Sequence, residues 1–175
     1  MTGRNPVQMR AEHALRAIED LLNSGDTRSK EVREAYRTSV QSVPATILMN
    51  GLGQAIAGLM AQAGKGRTGG TEADDRQTKA KAEACRAIVS HLESWLCEAY
   101  DSSPYHNGKF QNDSALQLVQ DQPGLGLMKR LTDGGQSEYI AAQAEAFAYL
   151  DWLKKFANAL LVEDKAASGQ GESEQ

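Results

Sequence analysis

From Val40 to Gly64 the chain carries no charged side chain, and this stretch constrains the fold more than any other. An uncharged run of that length has to be wrapped by the rest of the molecule. Its centre, PATILMNGLGQAIAGLM (44–60), opens with Pro44, and a helix tolerates proline at its first position because the missing N–H would be unpaired there anyway. Leu48, Leu52, Ile56, Leu59 and Met60 recur at three- and four-residue steps, which places them on one side of an α-helix. The spacing predicts a core helix starting at Pro44. A second stripe of small residues, Gly51, Ala55 and Gly58, runs beside the first. A glycine inside a helix costs about 1 kcal/mol against alanine, so this stripe predicts close approach by another helix or chain and is the candidate protein interface. Asn50 and Gln54 lie one turn apart, either paired inside the bundle or offered to a polar partner.

Three other readings of the stretch fail on its residues. Thr46, Asn50, Gln54, Gln62 and three glycines make it too polar for a membrane span, so no membrane is expected as a partner. A dinucleotide-binding turn after Gly51-Leu52-Gly53 meets Ile56 where the third small residue belongs, and no strand-alternating unit follows. A phosphate loop ending in Gly64-Lys65 meets Gly66 in place of Ser or Thr, with Leu59 where its first glycine belongs.

No segment alternates convincingly with period two, and aromatic content is only 6%. Helical patterns account for most of the chain. Asn5-Pro6 starts a helix over about 6–23, with Ala11, Ala14, Leu15, Ile18, Leu21 and Leu22 inward and Arg10 and Arg16 off that stripe. A second helix, 30–42, turns Val32, Tyr36 and Val40 inward and crowds Arg28, Lys30, Arg33 and Arg37 on its other side. That side is either a solvated face or an edge that contacts phosphates. Ala63–Ala73, with four glycines, reads as a flexible connection. A long helix over about 74–101 carries Ala84, Ile88, Leu92, Trp95, Leu96 and Ala99, with His91 packed beside them. Loop follows from Pro104 to Asp113, then short helices over 114–120 and 125–131, and a last helix over about 137–162 whose apolar band is wide. The fold class is therefore all-α, a single-domain bundle of about six helices over 1–162, with 163–175 a disordered acidic tail.

Charge is uneven. The net is −4, but residues 1–67 hold +3 and the remainder −7. The bulk acidity argues against an autonomous, tight nucleic-acid binder and leaves room for a local basic face that works beside other subunits. The opening MTGRNPVQMR lacks an apolar core segment, so no secretory leader is expected. Cys85 and Cys97 are twelve residues apart on one predicted helix, about 18 Å along its axis, too far for a disulfide. Reduced, cytosolic thiols are the simple reading. His13, His91 and His106 fall in different elements, and no zinc-type spacing of Cys or His occurs. His91 is six residues from each cysteine, out of hydrogen-bonding reach along a helix. No catalytic site, metal or cofactor is expected.

Several blocks resemble one known family. PATILMNGLGQAIAGLM with Tyr36 eight residues before Pro44, and Ala146, Leu150, Trp152-Leu153-Lys154-Lys155-Phe156-Ala157 and Leu160 in the last helix, are similar to the small subunit of the type III-B CRISPR effector, the Cmr complex. Arg10-Ala11, Ala14 and Ile18 fit its first helix, and His91-Leu92 with Trp95-Leu96 its middle one. The similarity spans 8–162, while Ala63–Ala73 and Ala99–Asp113 have no counterpart. The resemblance implies a cytoplasmic, non-catalytic, all-α subunit in antiviral defence. Copies would stack head to tail along a guide-RNA filament, beside the backbone subunits and the large polymerase-like subunit. They would hold the duplex of guide RNA and target RNA, and target cleavage would belong to the backbone subunits. Contacts to a duplex backbone call for Arg, Lys, Asn and Gln on one face. By charge and position the RNA-binding candidates are Arg10, Arg16, Arg33, Arg37, Asn50, Gln54, Lys154 and Lys155. The alternative is a helical protein–protein adaptor that docks through the small-residue stripe and never touches RNA.

Overall fold

The computed structural model describes residues 5–23, 28–65, 72–106 and 122–162. The expected helix over 114–120 and the tail 163–175 lie outside them. Among these residues six α-helices follow one another: α1 (Pro6–Asn23), α2 (Arg28–Asn50), α3 (Leu52–Lys65), α4 (Glu72–Ser94), α5 (Leu125–Asp133) and α6 (Gln136–Leu160). A π-helical turn, Trp95–Ala99, extends α4. Among the described residues there is no strand, and one apolar core joins all six helices. The all-α bundle is as expected.

Asn5 starts α1 as its spacing predicts: its Oδ1 accepts from Val7 N–H at 3.0 Å and its carbonyl from Met9 N–H at 3.1 Å. The central stretch departs from expectation. Pro44 does not open a helix but lies inside α2, which runs on to Asn50. Proline there removes one ladder hydrogen bond, and the packing of Tyr36, Val40, Val43 and Ile47, all buried, carries the helix past it. The break falls at Gly51, whose φ of +82° is the left-handed conformation that glycine adopts without strain. Gly51 N–H donates to the Ile47 carbonyl at 2.7 Å, closing α2, and its own carbonyl accepts from Ala55 N–H at 3.1 Å, opening α3. The next two N–H groups of α3 would be orphans. Leu52 N–H finds Gln143 Oε1 at 3.0 Å and Gly53 N–H finds the Tyr139 hydroxyl at 3.0 Å, both from α6.

This split undoes the two stripes as written. Leu48 is 79% exposed, beyond the break from Leu52 and Ile56, which are fully buried. Gly51 belongs to the turn, not to a helix face. Asn50 and Gln54 are both exposed on either side of it, so they form no internal pair. The expected connection Ala63–Ala73 is shorter among the described residues, since α3 runs to Lys65 and α4 begins at Glu72.

The π turn replaces the last part of the long helix. Its signature is Tyr100 N–H donating to the Trp95 carbonyl, five residues back, at 3.1 Å. Tyr105, read as loop, is fully buried after it. At the start of α5, Gly124 has φ of +94°, and a Cβ there would collide with the Val89 side chain. Both Glu93 carboxylate oxygens cap α5, accepting from Gly124 N–H at 2.7 Å and Leu127 N–H at 2.9 Å.

Candidate nucleic-acid interface

Side chains at i and i+4 of a helix share a face, and two such ladders meet where α2 packs on α6. On α2 the ladder is Arg33, Arg37 and Gln41, next to the buried stripe of Tyr36, Val40 and Val43. On α6 it is Lys154 and Asn158, next to Leu150, Leu153 and Ala157. Gln41 Nε2 donates to Asn158 Oδ1 at 3.0 Å and ties the ladders together at the surface. With the Gly51 turn held by Tyr139 and Gln143, the pairings fix an antiparallel seam along most of α6. Leu48, on the Arg37–Gln41 face, and its neighbour Met49 project at the far end, 79% and 81% exposed, beside Asn50.

Of the eight predicted cations and amides, the seam carries Arg33 and Arg37 on one side of the Gln41–Asn158 bridge and Lys154 one turn to the other side, with Asn50 and Gln54 about its far end. Arg37 is half-buried, and its Nε has no acceptor among the described residues. Lys155 sits one position on, exposed, paired with Asp151 at 2.7 Å and with its Nζ 5.2 Å from the Trp152 ring centre. Gln41 and Asn158 were missed by sequence reasoning. The signal was their one-turn spacing from Arg37 and Lys154.

Arg10 and Arg16 stand apart. Arg10 was expected off the buried stripe, but it points inward. Its Nε and one terminal nitrogen donate to Glu145 at 2.5 and 2.9 Å, and the two side chains are only 16% and 10% exposed. Glu145 also accepts from Trp95 Nε1 at 2.9 Å. Residues nine apart on a helix lie half a revolution from each other, so Glu145, and Arg10 with it, is across α6 from Lys154. Arg10 is therefore a structural ion-pair partner, a role that a buried carboxylate on the last helix makes obligatory. Arg16 is exposed on α1 and pairs with Glu12 at 2.5 Å.

Trp95 is the centre of that inner network. Tyr100 and Tyr149 stack on it at 5.2 and 5.3 Å, and His13 tilts against it at 5.4 Å. His13 Nδ1 lies 2.7 Å from the Tyr149 hydroxyl and its Nε2 3.4 Å from Ser94 Oγ. His91 Nδ1 lies 2.9 Å from the Tyr36 hydroxyl. Burial disfavours the charged form of both rings, lowering His13 and taking His91 down to about 4, with His13 nearby adding to the latter. Burial also raises the Cys85 thiol and pushes Cys97 up to about 12, so neither is a thiolate near neutrality. Both cysteines are buried and free. Among the described residues no group of three His, Cys, Asp or Glu could hold a metal ion, and no helix is long and apolar enough to cross a membrane.

The fold and its surfaces define an all-α bundle whose inner polar groups tie helices together, and whose outer seam presents cations and amides. Residues 7–160 match the family model described as CRISPR-associated protein (Cas_Cmr5), and the chain belongs to that family, the small subunits of type III-B Cmr complexes. Membership implies assembly with other Cmr subunits.

Proposed function

We propose that this chain is a non-catalytic subunit that holds the guide–target RNA duplex of a cytoplasmic antiviral Cmr complex, with the α2–α6 seam facing the duplex and copies stacked head to tail along the filament. The observation that carries the reading is the Gln41–Asn158 bridge: Arg37 of α2 and Lys154 of α6 each lie one turn from it, to opposite sides, which spaces the two cations about 12 Å apart along one seam. Charge on α2 is also segregated. Glu31 and Glu34 line a cleft towards α3 and α4, while Arg37 belongs to the seam. A duplex already read by base pairing needs contacts to its backbone, and side-chain cations and amides supply them without base specificity. The net charge of −4 makes binding by the isolated chain weak, so the affinity belongs to the array.

The test is Arg37→Glu with Lys154→Glu, assembled into the complex and titrated with target RNA over a range of salt. The expected result is a loss of about tenfold or more in affinity and a log–log salt slope shallower by about two. An intact complex with unchanged affinity and slope would refute the seam as the RNA surface.

A further inference from the structure

A second surface lies on the other flank of α2. Between α2, α3 and α4 a cleft of about 710 Å³ opens, and it follows α2 from Glu31 to Thr46. At 1.5 Å per residue that is about 22 Å, four turns of helix. A cleft of that length, open to solvent along one side, matches one face of a four-turn helix.

Its lining suits a helix. Ala55, Gly58, Ser39, Ser42 and Ala80 are small enough to let another backbone approach. Gly58 is the informative member. It lies inside α3, where glycine is unfavourable, yet a Cβ there would meet nothing within 4 Å. Nothing among the described residues requires a missing side chain at that point. Two of the hydroxyls along the wall have already satisfied their donors inside α2: Ser42 Oγ donates to the Ser39 carbonyl at 2.8 Å and Thr46 Oγ1 to the Ser42 carbonyl at 3.1 Å. Covering them strands no donor. The rim is charged in opposite senses, with Glu31 and Glu34 on the α2 wall and Arg76 and Lys81 on the α4 wall. None of these four makes an ion pair with another described residue. With two carboxylates and two cations the rim is neutral overall and carries no electrostatic bias towards a phosphate backbone.

We infer that this cleft docks an amphipathic helix of another subunit of the complex. The helix has about four turns and a narrow apolar stripe of small side chains. It carries Lys or Arg on the flank facing Glu31 and Glu34, and Asp or Glu on the flank facing Arg76 and Lys81. Helix-in-groove recognition of this kind reads the stripe for affinity and the flanks for orientation. The inference rests on family membership and not on the RNA reading of the seam, which uses other residues.

The experiment places the photo-crosslinking residue p-benzoylphenylalanine at Gly58 in the assembled complex and maps the products by mass spectrometry. Ala57, exposed and turned away from the cleft, is the control site. The expected product from position 58 alone is one segment of a different subunit with the stated stripe and flanks. In parallel, Gly58→Leu is expected to keep the circular dichroism and melting temperature of the isolated chain while its incorporation into the complex falls at least tenfold. Crosslinks to RNA, to a second copy of this chain, or to nothing outside the chain would overturn the inference, as would normal incorporation of Gly58→Leu. Loss of RNA affinity in the seam variants is read separately, so either reading can fall alone.

Discussion

Removing the Glu145 carboxylate is the sharpest perturbation of this fold. Glu145 accepts three hydrogen bonds, two from Arg10 and one from Trp95 Nε1, across 135 and 50 residues of sequence. Glu145→Ala leaves a guanidinium that is 16% exposed without its partner and a buried indole N–H without an acceptor. Breaking a buried ion pair by deleting one member costs about 3–5 kcal/mol. For a chain of this size each kcal/mol moves the melting temperature by about 2–4 °C, so the expected drop is about 6–20 °C. Glu145→Gln keeps an acceptor for the indole and loses the charge, and it should cost less, about 2 kcal/mol. Arg10→Leu combined with Glu145→Leu removes both charges and should be more stable than Glu145→Leu alone. Urea denaturation followed by far-UV circular dichroism measures all four. If Glu145→Ala costs less than about 1 kcal/mol, the range of exposed pairs, Arg10 is not locked and the assignment of that arginine to the interior is wrong.

Stability should also depend on mild acid. His91 titrates at about 4 in the fold against 6.5 unfolded, so the unfolded chain binds the extra proton first, and stability present above pH 6.5 is lost as pH falls towards 4. The shift corresponds to about 3 kcal/mol. His91→Gln should flatten the urea midpoint between pH 7 and 4, and an unaltered slope would remove His91 as the cause. Two glycine substitutions should act in opposite directions in the isolated chain. Gly51→Ala forces a left-handed φ and a Cβ 2.7 Å from the Tyr139 hydroxyl, costing about 1–2 kcal/mol, whereas Gly58→Ala should gain about 0.5–1 kcal/mol; thermal melts of the pair check the signs. Pro44→Ala restores a donor to the Val40 carbonyl inside α2 and should raise the melting temperature by several degrees.

The bundle was legible in the sequence because three- and four-residue apolar spacing survives whatever the helices pack against. Its connections were not. Pro44 and Gly51 are both helix punctuation, and the choice between them was made by tertiary contacts, chiefly Gln143 and Tyr139 capping α3 from the far end of the chain. Periodicity has no access to such a partner. The same holds for Arg10, since a lone arginine beside an apolar stripe reads as solvent-facing until Glu145 is seen to lie opposite it. Within the candidate site, Arg33, Arg37 and Lys154 were singled out by charge alone, but their placement along one seam depends on Gln41 meeting Asn158, 117 residues later.

The cap on α3 has a consequence for synthesis. The N–H groups of Leu52 and Gly53 wait for acceptors that are translated 91 and 86 residues later. Until α6 has left the ribosome, nascent α2 and α3 expose apolar surface and an unfinished helix start, a state that chaperones and proteases recognise. A message truncated before codon 139 would yield a product that is cleared, so only complete chains would persist to be assembled.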